Sequence, residues 1–131
     1  MNPVVQFEMP YDDRDRMARF YESAFGWQMQ KLGAEMGSYI SAATGETGAD
    51  GWPLMPGTIN GGFFERKAGW PAQAPSVVIA VNDIQAAIAQ VAASGGTVVG
   101  EPMLIADIGQ YLSSMDTENN RVSLLHLLPR G

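Results

Sequence analysis

The sequence predicts an α+β fold made of two βαβββ modules. Three observations predict it. Two short segments carry a helical apolar stripe. Each stands between one extended run before it and three after it. The two halves also superpose without a gap: when Gln6 falls on Ser76, Asp13 falls on Asp83 and Gly26 on Gly96. An uninterrupted register across strand, cap, helix and stop marks a duplicated module. A single βαβββ unit cannot cover its own sheet, so the two are expected to pair.

Each element has its own signal. The first extended run is Val4 to Met9. Asp12 and Asp13 are cap candidates for a helix over about residues 13–25, in which Met17, Phe20, Tyr21 and Ala24 make the stripe and Gly26 is the stop. Trp27 to Leu32, Ser38 to Ala43 and Thr58 to Phe64 read as strands. The second module opens with Ser76 to Val81, followed by a helix over about residues 83–94. Asn82 and Asp83 precede that helix, Ile84, Ala87, Ile88 and Val91 form its stripe, and Gly95-Gly96 closes it. Thr97 to Met103, Gln110 to Met115 and Arg121 to Leu127 complete the set. Gly/Pro-rich stretches at Thr44 to Gly57 and Lys67 to Pro75 are the connections. The expected organisation is one domain over 1–131: module 1 at about 1–66, a linker at about 67–75, and module 2 at about 76–131.

Composition removes several function classes. Hydrophobic residues make up 46% of the 131 and charged residues 17%, which supplies a core and argues against disorder. The net charge is −6, an unsuitable footprint for nucleic acid or an anionic membrane surface. With no cysteine, thiolate metal sites and cysteine nucleophiles are excluded. A single histidine, His126, excludes any site needing two imidazoles from one chain. No run reaches the ~18 apolar residues of a membrane helix, and the N-terminus lacks a basic leader, so a cytoplasmic protein is expected.

Four pieces of the chain resemble the vicinal oxygen chelate superfamily, the glyoxalase/bleomycin resistance protein/dioxygenase group. They are the opening strand Val4-Val5-Gln6-Phe7-Glu8-Met9-Pro10, the helix text Arg19-Phe20-Tyr21-Glu22-Ser23-Ala24-Phe25-Gly26-Trp27, the stretch from Val81-Asn82-Asp83-Ile84 to Gly95-Gly96, and the turn Asp116-Thr117-Glu118-Asn119-Asn120. The turn has Thr117 for the family's proline and Asn119 for its glycine. Asn tolerates the left-handed conformation, so the turn is expected to form. The resemblance implies a curled, cup-shaped mixed sheet with the helices on its outer face. It also implies four metal-ligand positions, on the first and last strand of each module. These fall on Gln6, on Ser76 where histidine is typical, on Ser123 where glutamate is typical, and near Gly61 or Gly62. A divalent ion wants three or four anionic or imidazole ligands, which this set does not supply. No metal and no other cofactor is therefore expected.

The ligand-binding candidates are Gln6, Glu8, Ser76, Ser123 and Trp52. Glu8 lies two residues from Gln6, hence on the same strand face. Partial burial there raises a carboxyl toward the range of a general base, which makes Glu8 the candidate catalytic residue; the alternative is a carboxylate at the rim, solvated or hydrogen-bonded to a neighbouring strand. Ser76 and Ser123 are hydrogen-bonding candidates without a histidine to activate them, His126 being three residues from Ser123 and so on the opposite face. Phe20, Tyr21, Phe25 and Trp27 read as core. Trp52, Met55 and Trp70 sit on loops, either covering a pocket or interface or anchoring the loop to the sheet. Two functions stay open. One is a metal-independent binder of a small organic molecule, with charge favouring a cationic one. The other is a glyoxalase-like lyase or isomerase of lactoylglutathione lyase type, an epimerase or a dioxygenase, using an unusual metal or none. A homodimer covering exposed sheet edges is expected, with neither nucleic acid nor membrane as partner.

Overall fold

Asp13 and Asp83 start the two helices, each with a side-chain oxygen turned back onto backbone N–H groups. In the computed structural model, which describes residues 1–105 and 108–128, Asp13 Oδ1 accepts from the Arg16 N–H at 3.0 Å and Asp83 Oδ1 from Gln85 and Ala86 at 3.0 and 3.1 Å. These bonds satisfy donors that the first helical turn leaves open. Helix α1 is Arg14–Phe25, ended by Gly26 in the left-handed region (φ 73°), and α2 is Ile84–Ala93. The strands are β1 (Val4–Tyr11), β2 (Gln28–Lys31), β3 (Ile40–Ala43), β4 (Gly61–Glu65), β5 (Ser76–Ala80), β6 (Thr97–Ile105), β7 (Gly109–Met115) and β8 (Arg121–Leu127). The order βαβββ thus occurs twice, and the fold class is the expected α+β.

The chain packs as two compact units, Gln6–Pro75 and Ser76 onward together with Met1–Val5. In the first unit the strand order is β2-β3-β4-β1, antiparallel except for the parallel pair β1–β4. In the second it is β5-β8-β7-β6, again antiparallel except for β5–β8. First and last strand of each module therefore lie side by side and parallel. The opening residues join the second unit, where the Ala80 N–H donates to Pro3 O at 2.9 Å.

Each sheet has one face under its helix. Tyr11, Ile40, Ala42 and Phe63 form the first core, with Phe7, Met9, Met17, Tyr21, Trp27 and Met29 packed on it. Val81, Ile84, Leu112 and Leu124 form the second, with Ile79, Ala87, Ile88, Val91 and Val98. The α2 stripe is the one expected. The α1 stripe differs: Met17, Ala18 and Tyr21 meet the sheet, whereas Phe20 and Phe25 are 57% and 63% exposed. Phe20 sits a helical step to one side, edge-on to Tyr21 and Phe25 with centroids 5.0 and 6.1 Å apart. Tyr21 stacks on Trp27 at 4.7 Å, so the aromatic cluster is half core and half surface. No described helix is long and apolar enough to cross a membrane.

Candidate functional site

Strand alternation decides which side chains reach the face away from each helix. In the first unit Phe7, Met9 and Tyr11 turn toward α1, so Gln6 and Glu8 turn the other way. Glu8 is the register partner of Gly62, which is also the partner of Ser41. The Tyr39 hydroxyl donates to Glu8 Oε2 at 3.1 Å. Glu8 is 0% exposed, which corrects the expectation of a solvated carboxylate at the rim; the carboxyl is enclosed and hydrogen-bonded. The ring of Tyr39 crosses the β4 backbone where Gly62 has no side chain; a Cβ there would overlap the phenol. On the opposite face the Phe7 ring crosses at Gly61 in the same way. Two rings on two faces explain the adjacent glycines, and the position near Gly62 cannot carry a ligating side chain while Tyr39 stays where it is.

In the second unit Ile79, Leu112 and Leu124 face α2. Ser76, Val78, Arg121, Ser123 and Leu125, one step off in each strand, share the other face; Val78 pairs with Ser123, and Ser113 with Ser123. The Arg121 Nη2 donates to Ser113 Oγ at 2.8 Å and reaches the Tyr111 hydroxyl at 3.5 Å. Tyr111 and Ser123 share a hydrogen bond of 2.9 Å. Arg121 is 7% exposed, Ser113 3% and Ser123 0%. Ser76 Oγ is buried with no hydrogen-bond partner among the described residues. This row is all hydroxyl and guanidinium. Neither β5, β7 nor β8 contains a carboxylate, and His126, the partner of Gln110, lies on the α2 side as expected. These three strands therefore bring no base to the serines on that face.

Tyr39, Tyr111, Ser113 and Arg121 were not among the sequence-derived candidates. A signal existed for three of them. The turn at Asp116–Asn120 sets Ser113 opposite Ser123, and alternation then adds Tyr111 and Arg121 to the same face. The turn forms as expected: Asn119 takes φ 65°, and Asp116 accepts from the N–H groups of Glu118 and Asn120 at 2.8 and 2.9 Å. The side-chain bond from Asn120, with those two backbone N–H groups, holds the Asp116 carboxyl below its usual range. The Thr44–Gly57 loop is tied to itself by a Thr47–Pro53 bridge and by the Gly48 N–H on Trp52 O at 2.9 Å. It walls a cavity of about 470 Å³ with Gln28, Ala43 and Thr44; Leu54, rather than Trp52, lines that space.

The donor chemistry does not fit the metal that the fold family implies. Ser123 is committed to Tyr111 beside a guanidinium, whose fixed positive charge opposes a divalent cation. Ser76 offers only a neutral hydroxyl and Gln6 only an amide, and Gly62 offers nothing. Among the described residues no three His, Cys, Asp or Glu side chains stand together as a ligand group.

Three comparisons bear on this architecture. No curated protein matches the chain. Among solved structures, a hypothetical protein from Bacillus halodurans C-125 superposes with a TM-score of 0.65 at 13% identity, over 99% of this chain and 97% of that one. Methylmalonyl-CoA epimerase from Mycobacterium tuberculosis gives 0.64 at 14%, over 96% and 88%. A variant of the Streptomyces coelicolor methylmalonyl-CoA epimerase, in complex with 2-nitronate-propionyl-CoA, gives 0.65 at 16%, over 93% and 94%. At such identities these likenesses establish the fold. A family model described as Glyoxalase/Bleomycin resistance protein/Dioxygenase superfamily matches residues 4–111, and the chain belongs to that family, the vicinal oxygen chelate group.

Proposed function

We propose that this chain binds a small organic molecule on the sheet faces turned away from its helices, without a metal ion. The observation that carries the reading is Arg121. Where metal-dependent relatives typically place a glutamate ligand, this chain has Ser123 bonded to Tyr111, with a buried guanidinium two residues earlier on the same face. The guanidinium puts a positive charge of the protein on that face, and strands β5, β7 and β8 carry no carboxylate of their own. In the second unit Ser76 and Ser123 are the proposed polar anchors; in the first, Gln6 and Trp52 are proposed as separate binding residues of that unit. A homodimer belongs to the same reading, with exposed Phe20 and Phe25 as apolar surface a second copy would cover. The residues of the linker and module boundary at about 67–75 are connection only.

A second reading, an epimerase or glyoxalase-like lyase, is favoured by Glu8, a fully buried carboxyl beside a phenol. Buried carboxyls are expensive and cluster where protons are moved.

The test is a fragment screen by ligand-detected NMR, run with and without EDTA, followed by deuterium incorporation from D₂O into each binder. Binding indifferent to EDTA, without exchange, is the expected result. Binding abolished by EDTA overturns the metal-free reading, and exchange abolished by Glu8→Gln selects the enzyme.

A further inference from the structure

Between the first turn of α1 and the carboxyl ends of the parallel pair β1–β4 lies a cavity of about 350 Å³. Sites for small organic molecules run to ~300–1,000 Å³. All of its lining belongs to the first unit, on the helix side of the sheet and away from the face that carries Glu8. Met9, Met17, Tyr21 and Phe63, members of the first core, bring two thioethers and two aromatic rings to it. Arg16 and Arg66 bring two guanidinium groups.

The donors around this cavity outnumber their acceptors. Arg66 donates from Nε to Asp12 Oδ1 at 3.0 Å and from Nη1 to Gln73 O at 2.8 Å, which leaves Nη2 without a described acceptor. Among the described residues the Arg16 side chain forms no ion pair. The Tyr21 hydroxyl donates to the Met9 sulfur at 3.8 Å, and a thioether is a weak acceptor. The two carboxylates of the lining already hold donors: Asp12 holds Arg66, and Asp13 caps α1 by accepting from the Arg16 N–H. With that N–H taken, the side chains and not the helix terminus are the receptor.

We infer that this cavity binds a small aromatic carboxylic acid as its anion, with the carboxylate on Arg16 and Arg66 and the ring against Met9, Met17 and Phe63. The site is separate from the sheet faces invoked above and stands independently of that reading. A guanidinium presents paired N–H groups that match a planar carboxylate, and charge-assisted hydrogen bonds are about twice as strong as neutral ones. Methionine is flexible and its sulfur packs favourably at the edge of an aromatic ring, so two methionines suit a flat guest. An inorganic anion would leave the thioethers and rings uncovered. The overall charge of −6 favours cations at long range, but the charges without a partner at this cavity are positive.

The experiment titrates the full chain, isotope-labelled at its methionine methyl groups, with benzoate, benzamide, cyclohexanecarboxylate and benzylammonium, followed by NMR. A bound aromatic ring shifts the Met9 and Met17 methyl signals through its ring current and leaves Met55, outside the lining, in place. Benzoate should bind about five- to tenfold tighter than benzamide, and tighter than cyclohexanecarboxylate. Arg16→Gln keeps the backbone N–H that Asp13 accepts from, so its melting temperature should match the parent's while benzoate falls toward the affinity of benzamide. Arg19→Gln, on the same helix but outside the lining, should bind benzoate as the parent does. Equal affinity for benzoate and benzamide overturns the inference, and so does benzylammonium binding better than benzoate. Equal losses in Arg16→Gln and Arg19→Gln would reduce the effect to general charge and overturn it as well. Cyclohexanecarboxylate binding as tightly as benzoate overturns the aromatic assignment. Benzoate that binds without moving Met9 and Met17 sits elsewhere, which ends this inference and leaves the reading of the sheet faces intact.

Discussion

Replacing Gly62 with alanine tests the arrangement around Glu8 most sharply. The added Cβ would fall inside the Tyr39 phenol, so the ring must move. Only the far end of the side chain is struck, and in an exposed tyrosine that shift would be cheap. Here Tyr39 is 8% exposed and its hydroxyl is bonded to a carboxyl with no exposure at all. Displacing it forfeits a hydrogen bond to a buried acceptor, about 1–3 kcal/mol. Overpacking of the neighbouring side chains adds about 1–3 kcal/mol. The expected loss is therefore about 2–6 kcal/mol, a large part of an ordinary domain's stability of about 5–15 kcal/mol. Urea unfolding followed by circular dichroism measures it. The Tyr39→Ala background is the control, because an emptied site accepts the methyl group: there Gly62→Ala should cost less than about 0.5 kcal/mol, an ordinary figure for an uncoupled site. Equal cost in both backgrounds would refute the idea that Gly62 is glycine for the sake of Tyr39.

Other perturbations follow from the same geometry. Asp116 has its carboxyl held below the ordinary value of 3.8 by Asn120 and Glu118. Its folded value lies below its unfolded one, so the stability it contributes is present above the unfolded value and is lost as pH falls through the folded value; the Asp116→Asn variant should show a shallower fall in urea midpoint below about pH 4. Asn119 occupies the left-handed region at φ 65°, so Asn119→Val should cost about 1–2 kcal/mol by thermal unfolding and Asn119→Gly very little. Asp83→Ala removes the acceptor of two helix N–H groups and should cost about 0.5–2 kcal/mol, measured in the same way. Light scattering should give twice the 14.1 kDa chain mass for the proposed homodimer; a monomer mass at micromolar concentration would contradict it.

The duplicated module was legible because it is written in local signals. Asp13 and Asp83 cap, Gly26 stops, and the apolar periods change from helix to strand at the right places. The α2 stripe could be read to the residue. The α1 stripe could not, because Phe20 and Tyr21 are adjacent and both aromatic, and only packing tells which meets the sheet. Of the candidate site, only the placement of side chains on strand faces was legible. Gln6, Ser76 and Ser123 came from a register shared with the family and Glu8 from alternation along β1, and alternation also sent His126 to the far face. The hydrogen bond from Tyr39 to Glu8 was not legible, because Tyr39 follows the short 3₁₀ turn at Ala34–Met36 and lies over Gly62, far along the chain. Likewise Arg121 acquires its meaning only when the hairpin brings Ser113 and Tyr111 beside it. Long-range pairing of this kind leaves no periodic trace.

The central claim is that a protein guanidinium, and not a metal ion, is the positive charge of this site. Equilibrium dialysis of the purified chain against nickel, zinc, cobalt and manganese, followed by elemental analysis, tests it directly. The account predicts well under one equivalent of any of these metals after dialysis, and no change on Gln6→Ala. One equivalent retained by the parent chain and lost in Gln6→Ala would contradict it.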